Sequence, residues 1–342
     1  MRRYIRKAVP RRRLYSRMTP RPVRRPAAAS KHNWVQSIVS GLTVLTAIAA
    51  LVYTSRSTTE QLRLTEQGQI TDRYSRATDQ LGSEKIDVRL GAIYSLERLM
   101  RDSAADVPTI VEVLCAFVRE HAPRKVTPPS TTTTPPRPSR TAKSPVRPPP
   151  DVQAVLTVLN RRPDGGSARI DLHQTELAGA DLSRAKLAGA DLTGANLAFV
   201  LLHEASLENA LLRQADLHNA SLTHARLHSA DLSEANMVDA TLTSADLTRA
   251  HLDQVDLTYA RLGDATLNGA DLPQANLTRA SLGAAKLMGA NLFAAKLNDA
   301  YLGAANLSAA NLTEADLTGA DATTPEQLAQ ARTNSRTKLP NG

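Results

Sequence analysis

Leucine recurs at every fifth position through the C-terminal half of the chain. From Leu172 to Leu317 this register holds for 30 positions, with Met237 as the single replacement. The residue two places before each leucine is small and nearly always alanine; the exceptions are Ile170, Thr175, Val200 and Val255. Such a regular pattern predicts a repeating backbone rather than an ordinary globular core.

A period of five residues fits neither a helix nor a flat strand. On an α-helix, five residues rotate the chain by about 500°, so successive leucines would spread around the cylinder. On a strand, an odd step places successive leucines on opposite faces. All the leucines point inward only if the chain turns a corner once per unit, so that it coils and its coils stack at about 4.8 Å. The pattern therefore predicts a mainly β solenoid over residues 168–322.

The unit Ala190-Asp191-Leu192-Thr193-Gly194 resembles the A(D/N)LXX motif of the pentapeptide-repeat family. This resemblance covers residues 168–322 and implies a right-handed quadrilateral β-helix with four units per coil. Residues 66–70 and 93–99 more loosely resemble segments of membrane-anchored bacterial members.

Four units per coil sort the residues before each leucine onto four faces, of which two are acidic. Their carboxylates form the predicted interaction surface: Asp171, Asp191, Asp231 and Asp271 on one face, and Glu176, Asp216, Asp256 and Asp316 on the next.

A second apolar pattern lies near the N-terminus. Residues 35–54 contain no charged side chain, and a helix of about 20 residues spans the roughly 30 Å of a bilayer core. Trp34 and Tyr53 stand at its two ends, where amphipathic rings favour the membrane interface. We therefore predict a transmembrane helix over 34–55, with a helix buried against a partner as the alternative. A cleaved signal peptide is less favoured, because the run is long and no small-residue cleavage site stands out near Tyr53.

Charge is distributed unevenly along the chain. Residues 1–31 contain 12 Lys or Arg and no acidic residue, whereas residues 168–322 contain 10 Lys or Arg and 19 Asp or Glu. The positive net charge of +9 therefore comes from a basic N-terminal tail. This tail is predicted to be disordered over 1–33 and to lie near anionic lipid. The positive-inside rule then keeps the N-terminus in the cytoplasm and sends the repeat outside.

Between these segments the sequence predicts a helical domain over 56–122, a linker and a cap. Helices are expected from Ile86 to Met100 and after an Asp106 N-cap, while Ser57 begins a capping-box pattern unless the first helix continues. Residues 123–150 contain 10 prolines and predict an extended linker. Asp151 is expected to cap a short helix within a capping segment, 151–167, and a C-terminal cap and tail follow at 323–342.

No pattern of catalytic or cofactor-binding residues is found. Cys115 lies in an apolar helical stretch and is expected to be a buried hydrophobe. Of the clustered histidines, only His203 and His224 should share a face on adjacent coils, which is too few ligands for a metal site. We therefore predict a non-enzymatic, membrane-anchored scaffold without cofactor or metal, whose faces bind an unidentified protein. The alternative is a DNA mimic that inhibits topoisomerase through the acidic faces; binding of nucleic acid itself is not expected.

Overall fold

The computed structural model describes residues 33–124, 147–163, 168–321 and 323–340. The chain divides into two units, Met1–Thr65 and Glu66–Gly342. The predicted basic tail falls outside the described residues except for its last residue. Most of the predicted linker, residues 125–146, and residues 164–167 of the predicted capping segment also lie outside them.

Helix α1 runs without a break over Asn33–Leu81, so the helix that contains the apolar segment continues well beyond it. Ser57 does not begin a new helix, because its hydroxyl donates to the Thr54 carbonyl oxygen one turn earlier at 3.0 Å. The helix contains an 18-residue window with a mean hydropathy of 2.0, none of it buried in the protein. Its length and composition fit a membrane span, and equally a signal sequence near the N-terminus.

Three further helices form a small bundle in the second unit. They are α2 over Ile86–Asp102, α3 over Val107–His121 and α4 over Pro150–Asn160. Their buried faces follow the predicted helical spacing, as with Ile93, Leu96 and Ile110, all 0% exposed. These helices pack against one another and share one hydrophobic cluster with the repeat.

The predicted cap role of Asp151 is wrong. Helix α4 begins at Pro150, so Asp151 lies inside its first turn rather than before it. The Asp151 side chain is instead buried, and its Oδ2 accepts hydrogen bonds from Nε and Nη2 of Arg89, both at 2.7 Å. Arg89 also donates to the Ser83 and Glu84 carbonyl oxygens at 2.8 and 3.0 Å. This ion pair joins α4 to α2 and to the turn before it.

Residues 168–321 form the coil. Parallel bridges join residues 20 positions apart, beginning with Asp171 to Asp191 and Glu176 to Asn196. Each coil therefore contains four pentapeptides, as predicted. In the described part of the repeat, each side is a single bridge rather than an extended strand. The reason is the corner every five residues, which leaves too few residues between turns for a longer ladder.

A tight turn forms each corner of the coil. At one such corner the Ala180 N–H donates to the Leu177 carbonyl oxygen at 3.0 Å, and Gly179, the second of the two residues between them, has φ of 68°. This is the pattern of a type II turn, which favours glycine at its third position. Only 6 of these positions hold glycine, and 24 hold another residue at positive φ. A positive φ is strained for a residue other than glycine. The stacking of coils offsets this strain, because the N–H of the positive-φ residue donates to a carbonyl oxygen of the next coil, as from Gly179 to Ala198 at 2.8 Å.

Both ends of the coil are covered. At the first coil, Leu156 and Leu159 of α4 pack over Leu172 and Leu182. Pro123 pairs antiparallel with Thr175, so the first residue of the predicted linker belongs to the folded unit. At the last coil, α5 spans Pro325–Ala329 within the predicted C-terminal cap, and the Thr324 side chain caps it by accepting the Gln327 N–H.

The chain after α5 also extends the coil, which the sequence did not predict. Arg332 and Lys338 form parallel bridges with Asn311 and Asp316. The Arg332 N–H donates to the Ala310 carbonyl oxygen at 2.8 Å, and the Lys338 N–H to the Ala315 carbonyl oxygen at 2.9 Å. These bonds satisfy backbone groups that an open coil would leave exposed.

Candidate interaction surface

The eight predicted carboxylates lie on two neighbouring sides of the coil. Face 1 is the ladder of Asp171, Asp191, Leu211, Asp231, His251, Asp271, Asn291 and Asn311. Face 2 is the ladder of Glu176, Asn196, Asp216, Asn236, Asp256, Asn276, Lys296 and Asp316. The bridges confirm this sorting by face, because each residue pairs with the one 20 positions further on.

Most aspartates of these faces also hold their own corner together. Oδ1 of Asp191 accepts the Thr193 N–H at 3.0 Å, and Oδ1 of Asp256 accepts the Thr258 N–H at 3.0 Å. Asparagine does the same, as where Asn196 accepts the Ala198 N–H at 3.1 Å. Asp and Asn suit this position because their short side chains reach the backbone two residues ahead. Sequence reasoning missed this structural role, although the Asp/Asn preference was its signal.

On face 2 the amides and carboxylates also bond between coils. Nδ2 of Asn196 donates to Oε1 of Glu176 at 2.7 Å, and Nδ2 of Asn236 donates to Oδ1 of Asp216 at 2.9 Å. Asn276 repeats this bond to Asp256 at 3.1 Å. Glu176, Asp216 and Asp256 therefore occupy alternate coils, about 10 Å apart, with an asparagine between neighbouring carboxylates. Each of the three is oriented by the hydrogen bond from the asparagine of the next coil.

Several of the eight carboxylates are neutralised by a basic side chain of the same chain. The ion pairs join Arg119 to Asp171 at 3.0 Å, Arg169 to Asp191 at 3.2 Å, Arg213 to Asp231 at 3.5 Å and Lys338 to Asp316 at 2.8 Å. The Lys338 ammonium holds the pKa of Asp316 well below its usual range. Burial alone would raise the pKa of Asp171, but the hydrogen bonds from His173 and the charge of Arg119 keep it below the ordinary value.

Four carboxylates form no ion pair with an arginine or lysine among the described residues, although the charge of Arg124 acts on the second of them: Glu176, Asp216, Asp256 and Asp271. Three of them lie on face 2 in alternate coils. The fourth, Asp271, lies on face 1 and accepts a hydrogen bond from Nδ2 of Asn291 at 2.6 Å. The acidic charge that is not paired with arginine or lysine is therefore concentrated on part of the predicted surface.

His218 pairs with Asp216 at the corner beside face 2. Their Nδ1 and Oδ1 atoms are 2.8 Å apart, and the His218 ring meets Phe199 edge-on with centroids 5.1 Å apart. The Asp216 hydrogen bond raises the pKa of His218, against the opposing effect of burial. Burial raises the pKa of Asp216, but the hydrogen bonds and charge of His218 outweigh it and lower that pKa.

This pair predicts a pH-dependent contribution to stability. Because the folded-state pKa of His218 is raised, the contribution is fully present below the ordinary value of 6.5 and is lost as pH rises through the raised value. Replacing His218 by Gln should remove that part of the pH dependence, measured as melting temperature against pH. His224→Gln is the matched control and should keep the wild-type profile. Parallel profiles for His218→Gln and the wild type would contradict the prediction.

The predicted histidine pair is adjacent. The rings of His203 and His224 meet edge-on with centroids 5.8 Å apart. His203 Nε2 lies 3.0 Å from Oε1 of Glu204, whose other oxygen accepts from Arg184 at 2.8 Å. Over the residues that the structure describes, no three His, Cys, Asp or Glu side chains converge as metal ligands would. The pair is therefore part of a surface network.

Comparison with known proteins agrees with the geometry of the coil. The family model described as pentapeptide repeats matches in eight copies, over residues 168–198, 201–237, 235–272, 257–292 and 285–323. No curated protein matches the chain.

Solved structures with the same repeat resemble parts of the chain. HetL of the cyanobacterium Nostoc, a pentapeptide repeat protein involved in heterocyst differentiation regulation, is 37% identical; the match covers 51% of this chain and 80% of HetL, with a TM-score of 0.38. A pentapeptide repeat protein of the Arabidopsis thaliana thylakoid lumen is 26% identical over 34% of this chain and 74% of its own, with a TM-score of 0.25. QnrB1, a plasmid-mediated fluoroquinolone resistance protein, is 14% identical over 47% of this chain and 92% of its own, with a TM-score of 0.21.

The repeat of this family implies a right-handed quadrilateral β-helix, in accord with the four bridged sides of each coil. The eight matching copies together span residues 168–198 and 201–323. The repeat of this chain belongs to the pentapeptide-repeat family.

Proposed function

We propose that this protein is a non-enzymatic scaffold, anchored in a membrane by α1, whose β-helix presents faces 1 and 2 to another protein. The interior of the coil is filled by leucine and alanine, for example Leu232 and Ala230 at 0% exposure. What remains for recognition is the outer surface. Repeat proteins commonly bind partners through such extended surfaces.

The observation that carries this proposal is the set of carboxylates on faces 1 and 2 that form no ion pair with an arginine or lysine of the described residues. Each of Glu176, Asp216 and Asp256 accepts a hydrogen bond from the asparagine of the next coil, which orients its carboxylate. A preorganised group loses less conformational freedom on binding, which favours affinity. A row of negative charges attracts and orients a positively charged partner. The partner is therefore a protein with a basic surface.

Replacing Asp216 and Asp256 by Asn together tests this surface. Asparagine keeps the corner hydrogen bond, as Asn196 does natively, so only the charge is lost. We expect proteins retained by the immobilised full chain at low salt to bind about tenfold more weakly or not at all. Asp246→Asn with Asp264→Asn is the matched control, since Asp246 lies on the ladder of Arg226 and Thr266 and Asp264 lies at the corner between Arg261 and Thr266, both away from faces 1 and 2. Equal retention by the two double variants would refute the proposed docking surface.

Anchoring rests on residues 35–54 of α1. All residues of this segment are exposed in the protein, which suits contact with lipid tails rather than with a protein core. The 12 basic residues at positions 1–31 would add attraction to anionic lipid. By the positive-inside rule, we propose that the N-terminus lies in the cytoplasm and the repeat on the other side.

Cysteine labelling in intact cells tests this orientation. The native Cys115 is unsuitable, because it is 1% exposed and burial raises its pKa to about 11. Met288 is 52% exposed, so the variant Cys115→Ala, Met288→Cys offers one accessible thiol. We expect a membrane-impermeant maleimide to label it without permeabilisation, and Cys115→Ala alone to stay unlabelled. Labelling only after permeabilisation would reverse the proposed orientation.

Mimicry of DNA remains the second candidate, because faces 1 and 2 are acidic. Against it, Asp171, Asp191, Asp231 and Asp316 pair with basic groups of the same chain, which reduces the negative charge available to a topoisomerase. A supercoiling assay with the purified chain separates the two functions. Inhibition lost in the Asp216→Asn, Asp256→Asn variant would favour mimicry over scaffolding.

A further inference from the structure

A groove between α1 and α2 brings three arginines together. It is lined by Arg73, Arg76, Ala77 and Gln80 of α1 and by Ser95, Arg98, Leu99 and Asp102 of α2, with a volume of about 420 Å³. On each helix the polar lining residues follow a spacing of three and four, which places them on one side. Ala77 and Leu99, each 2% exposed, form an apolar floor.

The groove carries more positive charge than the fold requires. Asp102 is its single lining carboxylate, and its Oδ2 lies 3.5 Å from Nη1 of Arg73, with both side chains about half exposed. The side chains of Arg76 and Arg98 make no ion pair or hydrogen bond with any other described residue. Nearby Arg89, by contrast, is fully engaged with Asp151 and two carbonyl oxygens. Two guanidinium groups are therefore left without a counter-charge in one concave site.

We propose that this groove binds the phosphate group of a small anionic ligand. Guanidinium groups present several donors in a plane and match phosphate oxygens two at a time. A phosphate carries up to about two charges and three terminal acceptor oxygens, which suits two uncompensated arginines together with the Gln80 amide. The volume falls in the range of about 300–1,000 Å³ that is usual for small-molecule sites. Asp102 competes with the ligand for Arg73.

The test is a calorimetric titration of the detergent-solubilised full chain with inorganic phosphate and with pyrophosphate. We expect binding of at least one probe, weakened by more than about tenfold when Arg76 and Arg98 are both replaced by Gln. Asp102→Asn should strengthen binding several-fold, because it removes the competing carboxylate. Arg249→Gln, a change at an exposed arginine of the repeat, is the matched control and should leave binding unchanged.

A second arm separates a soluble ligand from a lipid headgroup. Phosphatidic acid in the detergent micelles should displace the bound probe if the natural source is a lipid, and phosphatidylcholine should not. Pyrophosphate binding without such displacement indicates a soluble phosphate compound; both results support the site. The proposal is overturned if neither probe binds, or if the Arg76→Gln, Arg98→Gln variant binds as tightly as Arg249→Gln. It does not depend on the scaffold function, which is tested at Asp216 and Asp256.

Discussion

Replacing Leu202 by alanine is expected to lower the free energy of unfolding by about 2–5 kcal/mol, whereas the same change at the adjacent Leu201 should have little effect. Leu202 is 0% exposed inside the coil, and Leu201 is 43% exposed on its outer surface. The truncation of Leu202 loses buried apolar area and leaves a cavity between stacked coils, which relax only partly. Chemical denaturation followed by circular dichroism measures both variants.

This pair of variants tests which leucine of the unit faces the interior of the coil. The two leucines have the same side chain and adjacent positions, so helix or strand propensity cannot separate them. The difference is expected because the backbone directs Leu202 inward and its neighbour Leu201 outward. Similar losses of stability for Leu201→Ala and Leu202→Ala would contradict the coil described above.

Replacing Arg89 by methionine is expected to destabilise the helical bundle by about 3–5 kcal/mol, because it leaves the Asp151 carboxylate buried without a counter-charge. Asp151 is 1% exposed, and both bonds from Arg89 measure 2.7 Å. Thermal melting of the full chain, followed by the helical signal, measures the loss. Arg73→Met is the matched control, since its pair with Asp102 is half exposed and 3.5 Å long, and should change little.

A second substitution distinguishes an unpaired charge from lost packing. Changing Asp151 to leucine in the Arg89→Met background removes the buried charge and should restore much of the stability. If the double variant is as unstable as Arg89→Met alone, packing of the long Arg89 side chain rather than charge holds α4 in place.

The amino-acid sequence by itself determined the coil. The register from Leu172 to Leu317 admits one arrangement, because a five-residue period satisfies the core only when the chain turns at each unit. The outward residues could be sorted onto their faces only with four units per coil, which the resemblance to the pentapeptide-repeat family implied. The helices α2 and α3 were likewise predictable, because their apolar faces repeat at helical spacing.

Tertiary structure decided what each polar side chain does. Asp151 looked like a helix cap by position alone, and only the approach of Arg89 from 62 residues away made it a buried ion pair. The same holds for Asp171 and Asp316, which are neutralised by Arg119 and Lys338 from outside the repeat. No local sequence pattern predicts the bridges that Arg332 and Lys338 form with the last coil. Buried apolar residues recur at a regular spacing along the sequence, so they can be predicted from it. The pairing of charged side chains depends on distances between residues that are far apart in sequence and are set only by folding.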